Sequence, residues 1–146
     1  MPKIDFYVIN DKSHLDWICR LTEKAYKNKH RIYIHTNNQN DAHQLDELLW
    51  TYREDSFLPH NLVGEGPETA PPIQIGFKNK PENHRDILLN LNQIIPEFYT
   101  HFARVLEIVP CDAESQTISR EHYRFYRAAG YDISTHKLQS IEPNLP

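Results

Sequence analysis

The order of hydrophobic and polar residues predicts a β-α-β-α beginning to the chain. Residues 4–9 are rich in β-branched and aromatic side chains and predict a buried first strand. Ser13 and Asp16 then form a helix start similar to a capping box. The inward face predicted for this helix consists of Leu15, Ile18, Cys19, Thr22, Ala25 and Tyr26.

A second strand is predicted over residues 31–35, and Asn38 or Asn40 would cap the helix that follows. The inward stripe of that helix would be Ala42, Leu45, Leu48 and Leu49. Strands that alternate with helices favour a parallel sheet covered by helices, and therefore an α/β fold.

The second half of the chain continues the pattern. Strands are predicted over residues 73–77, 86–91 and 105–109, with a short helix from Pro96 to residue 102. A longer helix over residues 113–129 would be capped by Asp112 and ended by Gly130, before an edge strand over residues 131–135. We interpret residues 1–137 as one domain and residues 138–146 as a flexible tail.

Residues 45–67 carry aromatic side chains where a helix gives way to a loop, and they show no recognisable catalytic spacing. Trp50 stands at the end of the amphipathic helix, where a large aromatic residue is either part of the core or a docking anchor. Residues 59–67 are interpreted as a turn.

Composition narrows the class of protein. A chain of 146 residues suits one domain. The net charge of −4 argues against extensive direct contact with DNA, which usually requires a basic surface. No apolar run approaches the roughly 20 residues that span a bilayer. Two cysteines, without a ligand or disulfide pattern, favour a reducing, cytoplasmic setting.

The residues with catalytic potential do not form a recognised motif. The predicted loop after the first strand, residues 10–13, contains no glycine, so a phosphate-cradling loop is disfavoured. No two histidines have the i, i+4 spacing of a helical zinc site. Asp55, His60 and Glu65 could form an acid–base cluster, and Cys111 follows a strand. A small α/β enzyme acting on a nucleotide or an ester therefore remains an alternative.

The helix near the C-terminus has a basic face. Arg120, Tyr123, Arg124 and Arg127 recur at helical spacing, and Ile118, Phe125 and Ala129 would supply the apolar side. The face is either a solvated basic stripe or a surface that recognises anions. In the second case its arginines and aromatic residue suit an acidic peptide that ends in a hydrophobic residue and a free carboxylate.

Several motifs in order give the chain a family resemblance that extends to about Thr135. They are IDFYVI, LDELLW, SFLPHNL, GEGP, RDILLNL, EIVP and REHYRFYRAAGYDI. Together they resemble the chi subunit of bacterial DNA polymerase III, an accessory subunit of the clamp loader. The resemblance implies a single three-layer, Rossmann-like domain with a central, mostly parallel sheet. It also implies that the domain has no nucleotide site, cofactor, metal or catalytic activity.

The resemblance also implies partners. Chi proteins form a heterodimer with the psi subunit, which connects them to the clamp loader. As an alternative within the same class of adaptor, the psi-facing surface could instead hold a repair helicase, because one anchor patch can serve alternative partners. They bind the acidic, phenylalanine-ending tail of single-stranded DNA-binding protein, so most of their contact with DNA is indirect.

By motif, Trp50 and Phe57 match the family's psi contacts. The positions that match its tail-binding site are Val109, Arg120, Tyr123, Arg124 and Thr135. There Arg120 would pair with the terminal carboxylate, Val109 and Tyr123 would line the pocket for the phenylalanine, and Arg124 would meet the acidic residues. Cys111 departs from the family pattern at the rim of this pocket.

Overall fold

The structure is a computed structural model that describes residues 2–52, 59–63, 71–78 and 84–138. Seven strands form one sheet in the order β3-β4-β2-β5-β6-β1-β7, and every neighbouring pair is parallel. The elements, in chain order, are β1 (Lys3–Ile9), α1 (His14–Lys27), β2 (Ile32–His35), α2 (Gln39–Thr51), β3 (His60–Leu62), β4 (Ile73–Gly76), β5 (Ile87–Asn90), a 3₁₀ helix (Glu97–His101), β6 (Arg104–Val109), α3 (Ala113–Ala128) and β7 (Ile133–Leu138).

Helices cover both faces of the sheet. Ile18 of α1 and Leu45 of α2 lie in one hydrophobic cluster, which includes Ile34 at the centre of the sheet. Tyr126 of α3 lies in the second cluster, on the opposite face, where Phe98 of the 3₁₀ helix packs against it. Helices on each side of a parallel sheet form three layers, which confirms the predicted fold class.

Two of the three predicted helix caps are confirmed. Asn38 Oδ1 accepts a hydrogen bond from the Asp41 amide at 2.8 Å, and Asp112 Oδ2 accepts one from the Ser115 amide at 2.9 Å. The predicted helix start at Ser13 is confirmed, but its predicted side-chain cap is wrong, because the Ser13 amide and hydroxyl both donate to the Asp11 carboxylate. The predicted inward face of α1 is also wrong at Leu15, which is 50% exposed.

Three predictions near sheet edges need correction. Residues 60–62, predicted as part of a turn, form β3, because their backbone pairs with β4 beside a covering helix. The last strand begins at Ile133 and continues to Leu138, so Leu138 belongs to the sheet and not to a flexible tail. Residues 139–146 lie outside the described part of the chain.

The apolar side predicted for α3 is wrong. Phe125 is 47% exposed and Ala129 is exposed, whereas the buried stripe consists of Ser119, His122 and Tyr126. These polar side chains can be buried because β6 supplies a partner, the carboxylate of Glu107. Buried polar groups are tolerated when they are hydrogen-bonded. Gly130, at φ +88°, ends the helix region as predicted.

Candidate docking surfaces

The basic face of α3 is exposed. Arg120, Arg124 and Arg127 all point to solvent, and none of them forms an ion pair with any residue in the described ranges. Unpaired guanidinium groups on one helix face are available to bind carboxylates, with which they can form two parallel hydrogen bonds.

Tyr123 connects this basic face to the core. It is half-buried and packs edge-on against Phe6 of β1, with ring centroids 5.5 Å apart. Val109 belongs to the same hydrophobic cluster, at the end of β6 and in register with Val8. Because Val109 is only 6% exposed, it can form the floor of a pocket but not an open wall.

Thr135 lies on the same side of the sheet. It stands opposite Phe6 in the parallel β1–β7 pair, and partners in register point their side chains to the same face. Its side chain is exposed on the edge strand. The structure therefore brings Val109, Tyr123 and Thr135 to the sheet face that α3 covers, beside the exposed Arg120 and Arg124. We call these five residues the α3 surface.

Strand β7, which carries Thr135, is held by a buried carboxylate. Asp5 of β1 accepts hydrogen bonds from Arg104 Nε at 2.7 Å and from His136 Nε2 at 2.9 Å. Burial alone would raise the pKa of Asp5, but the hydrogen bonds from Arg104 and His136 outweigh it and hold the pKa below its ordinary value. The His136 ring also stacks on Tyr7, with centroids 4.7 Å apart.

A second buried carboxylate holds α3 in place. Glu107 accepts hydrogen bonds from Asn90 Nδ2 at 2.9 Å, Tyr126 Oη at 2.8 Å and His122 Nδ1 at 3.0 Å. His122 Nε2 donates to the Gln93 carbonyl at 2.7 Å. Burial would lower the pKa of His122, but the hydrogen bond and charge of Glu107 raise it overall, which favours the imidazolium.

The other predicted anchor, Trp50, lies at the end of α2 and is 53% exposed, so it is not a core residue. Its ring lies 4.7 Å from that of His60 on β3. The His60 ring is buried, and its Nε2 lies 3.1 Å from the carbonyl oxygen and 3.2 Å from the carboxylate of Asp46. The Trp50, His60 and Asp46 group is called the α2 surface. Phe57, its predicted companion, lies outside the described residues.

The two surfaces lie at opposite edges of the sheet. β3 and β7 are the two edge strands, and five strands separate them. At about 4.8 Å per strand, the edges are roughly 29 Å apart. The helices that carry the surfaces also cover opposite faces of the sheet. Two partners could therefore bind without meeting each other.

Sequence reasoning missed a cleft at the carboxyl ends of β2, β5 and β6, with a volume of about 480 Å³. Ligands of parallel α/β folds bind at such a place, and the polar residues Asn90, Asn92 and Gln93 at the end of β5 are the signal that could have revealed it. No Lys or Arg is among its described lining residues, which does not suit a phosphate group. Glu107 and His122 line it, but they are bonded to each other.

The described residues do not show the acid–base cluster that the enzyme alternative requires. Of the three residues proposed for it, Asp55 and Glu65 lie outside the described residues, and His60 is buried against Trp50. Cys111 is an exposed free thiol. Within the described ranges, no three His, Cys, Asp or Glu side chains are grouped as a metal would require. None of the helices there is long and apolar enough to cross a bilayer.

The fold and its surfaces define a class: a parallel α/β domain that presents an arginine-rich face at one edge and an exposed tryptophan at the other. Comparison with known proteins gives the family. The family described as DNA polymerase III chi subunit, HolC, matches residues 1–134. The chain therefore belongs to the chi subunit family of DNA polymerase III, which confirms the resemblance seen in the motifs.

Individual relatives agree with this assignment. DNA polymerase III subunit chi of Pseudomonas aeruginosa is 37% identical over 97% of this chain and 100% of the relative. The subunit from Escherichia coli is 32% identical over 92% of this chain and 97% of its own length. That from Haemophilus influenzae is 31% identical over 91% and 95%. The protein is thus an accessory subunit of a replicative DNA polymerase complex.

Proposed function

We propose that this protein is a non-catalytic adaptor in the cytoplasm that joins two partners during DNA replication. Its α2 surface, with Phe57, would hold the psi subunit in a heterodimer and so connect the protein to the clamp loader. Its α3 surface would bind the acidic C-terminal tail of single-stranded DNA-binding protein. Contact with DNA would then be mostly indirect, in keeping with a net charge of −4.

The observation that carries the tail-binding proposal is that exposed arginine side chains lie next to a half-buried tyrosine on α3. Arg120 and Arg124 have no anionic partner in the described ranges. They lie beside Tyr123, whose ring packs against the buried ring of Phe6. Arg120 would fork onto the terminal carboxylate, and Tyr123 with Val109 would receive the terminal phenylalanine. Arg124 would then attract the acidic side chains upstream.

The experiment that tests this proposal is titration of the protein with an acidic peptide that ends in phenylalanine and a free carboxylate. Arg120→Ala should weaken binding by about tenfold to a hundredfold, because a charged hydrogen bond contributes about 1.5–3 kcal/mol. Arg20→Ala is the matched control, since Arg20 lies over the Trp17 ring on α1, and α1 covers the opposite face of the sheet from α3. Equal affinity of the wild type and Arg120→Ala would refute the assigned site.

A competing partner is possible at the α2 surface. One exposed aromatic patch can bind alternative proteins, and a repair helicase could use Trp50 in place of psi. Competition between psi and the helicase for the wild-type protein would show that they share the surface. Simultaneous binding would show that they do not.

A further inference from the structure

Strand β7 has no strand on its outer side in the part of the chain that the structure describes. Among the described residues, β1 is the only strand that pairs with β7. The Leu138 carbonyl accepts a hydrogen bond from the Asn10 amide at 3.1 Å, so the backbone polar groups of Leu138 point towards β1. Because successive residues of a strand alternate in direction, the N–H and C=O groups of Ile133, Thr135 and Lys137 point away from β1, towards the free edge.

The free edge is continuous with the α3 surface. Ile133 is in register with Ile4, and Thr135 with Phe6; both partners belong to the hydrophobic cluster under α3. The side chains of these two β7 residues therefore point to the α3 side of the sheet. Thr135 contributes its side chain to the α3 surface and its backbone to the open edge.

The cations of α3 run alongside this edge. α3 connects β6 to the parallel strand β7, so it must run antiparallel to both. Arg120 is then closest to the carboxyl ends of the strands, and Arg127 lies about 10 Å further towards their amino ends. The free backbone groups from Ile133 to Lys137 span about 13 Å along the same direction. Lys137 adds an exposed cation on the strand itself.

We propose that the acidic segment of the tail adds to β7 as a further strand, parallel to it. With the terminal carboxylate at Arg120, the upstream residues would extend towards Arg127, which fixes the parallel direction. Backbone hydrogen bonds to Thr135 and Lys137 would provide affinity whatever the peptide's side chains are, and the cations would select acidic ones. This inference rests on the proposed function and concerns how the same peptide is held.

Backbone methylation of the peptide tests the pairing. Two versions of the peptide would carry N-methyl groups on alternate amides of the acidic segment, one in each register. One register should lose about tenfold or more in affinity, because its donors face β7. The other register is the matched control, since its amides would face solvent, and it should bind like the unmodified peptide. Equal affinity of the two methylated peptides would overturn the added strand.

Amide hydrogen exchange gives a second, independent readout on the protein. The amides of Thr135 and Lys137 should exchange rapidly in the free protein and at least about tenfold more slowly with the unmodified peptide bound. The His136 amide already faces β1 and should be protected in both states. Bound peptide with unchanged exchange at Thr135 and Lys137 would reject the inference and leave the proposed function standing. Failure of the unmodified peptide to bind would refute both.

Discussion

The α3 surface and the α2 surface are held in position by different kinds of interaction. Beneath α3, the buried carboxylate of Glu107 bonds to His122 and Tyr126, and on the opposite face of the sheet Asp5 of β1 bonds to His136 of β7. Beneath α2, the buried residues Leu45 and Leu49 pack in an apolar cluster, and the buried His60 ring contacts Asp46, whose carboxylate is partly exposed.

This difference suggests how each surface works. The α3 surface presents cations, and we expect its geometry to depend on the hydrogen bonds that the buried Glu107 carboxylate makes beneath the helix. The α2 surface presents an aromatic ring, and we expect its affinity to come from apolar area. Binding at α3 should therefore weaken at high salt, whereas binding at α2 should change little.

The largest effect should come from removing the buried carboxylate. Glu107→Ala deprives His122, Tyr126 and Asn90 of the acceptor of their hydrogen bonds. Loss of one partner from a buried pair costs about 3–5 kcal/mol, measured as the free energy of unfolding in urea. At the α2 surface, Asp46→Ala should cost only about 1 kcal/mol, because its carboxylate is partly exposed and His60 keeps the Asp46 carbonyl. If both variants lost the same free energy of unfolding, the two surfaces would not differ in how they are held in position.

The second effect concerns the aromatic anchor. Trp50→Ala should weaken association with psi by at least about 2 kcal/mol, roughly thirtyfold, because exposed aromatic anchors often dominate an interface. Binding of the tail peptide should not change, since the α3 surface lies at the opposite edge of the sheet. Calorimetry with purified psi provides the measurement, and Leu15→Ala, which removes another half-exposed apolar side chain, is the control. Undiminished psi binding by the Trp50 variant would exclude Trp50 as an anchor. Phe57→Ala tests the companion residue in the same assay.

A smaller effect should appear as pH rises. The pKa of His122 is raised above 6.5 in the folded protein, so the His122–Glu107 pair contributes its full stability below pH 6.5. That contribution is lost as the pH rises through the folded-state pKa of His122. Burial lowers the pKa of His35 to about 4 and also lowers that of His84, so both affect stability only below pH 6.5.

Unfolding measurements between pH 6.5 and about 7.5 therefore test His122, because the raised pKa of Cys19 affects stability only at higher pH. The wild type should lose stability over this window, and His122→Gln should show a flatter profile. His43→Gln, at an exposed position on α2, should keep the wild-type slope. A wild-type profile with no decline over this window would contradict a raised pKa of His122 in the folded protein.

Sequence reasoning succeeded where the determinants are local. The Asn38 and Asp112 caps follow from side chains that bond to amides three residues on, and the strands follow from short apolar runs. The buried side of α3 was predicted wrongly because its partner, Glu107, lies on a different element. Among the site residues, the helical spacing of Arg120, Tyr123 and Arg124 was visible in the sequence. Val109 and Thr135 came only from the resemblance, because sheet register brings them to the same face.

The smallest expected effect concerns the N-terminal caps of α2, which carries Trp50, and of α1. Asn38→Ala removes the side-chain cap of α2 and should lower the free energy of unfolding by about 1 kcal/mol. Ser13→Ala, at the equivalent position of α1, should cost less, because the Ser13 side chain bonds to Asp11 and not to the first helical turn. Thermal or urea unfolding of both variants gives the comparison. If Ser13→Ala proved the more damaging of the two, Asn38 would not be the more important helix start.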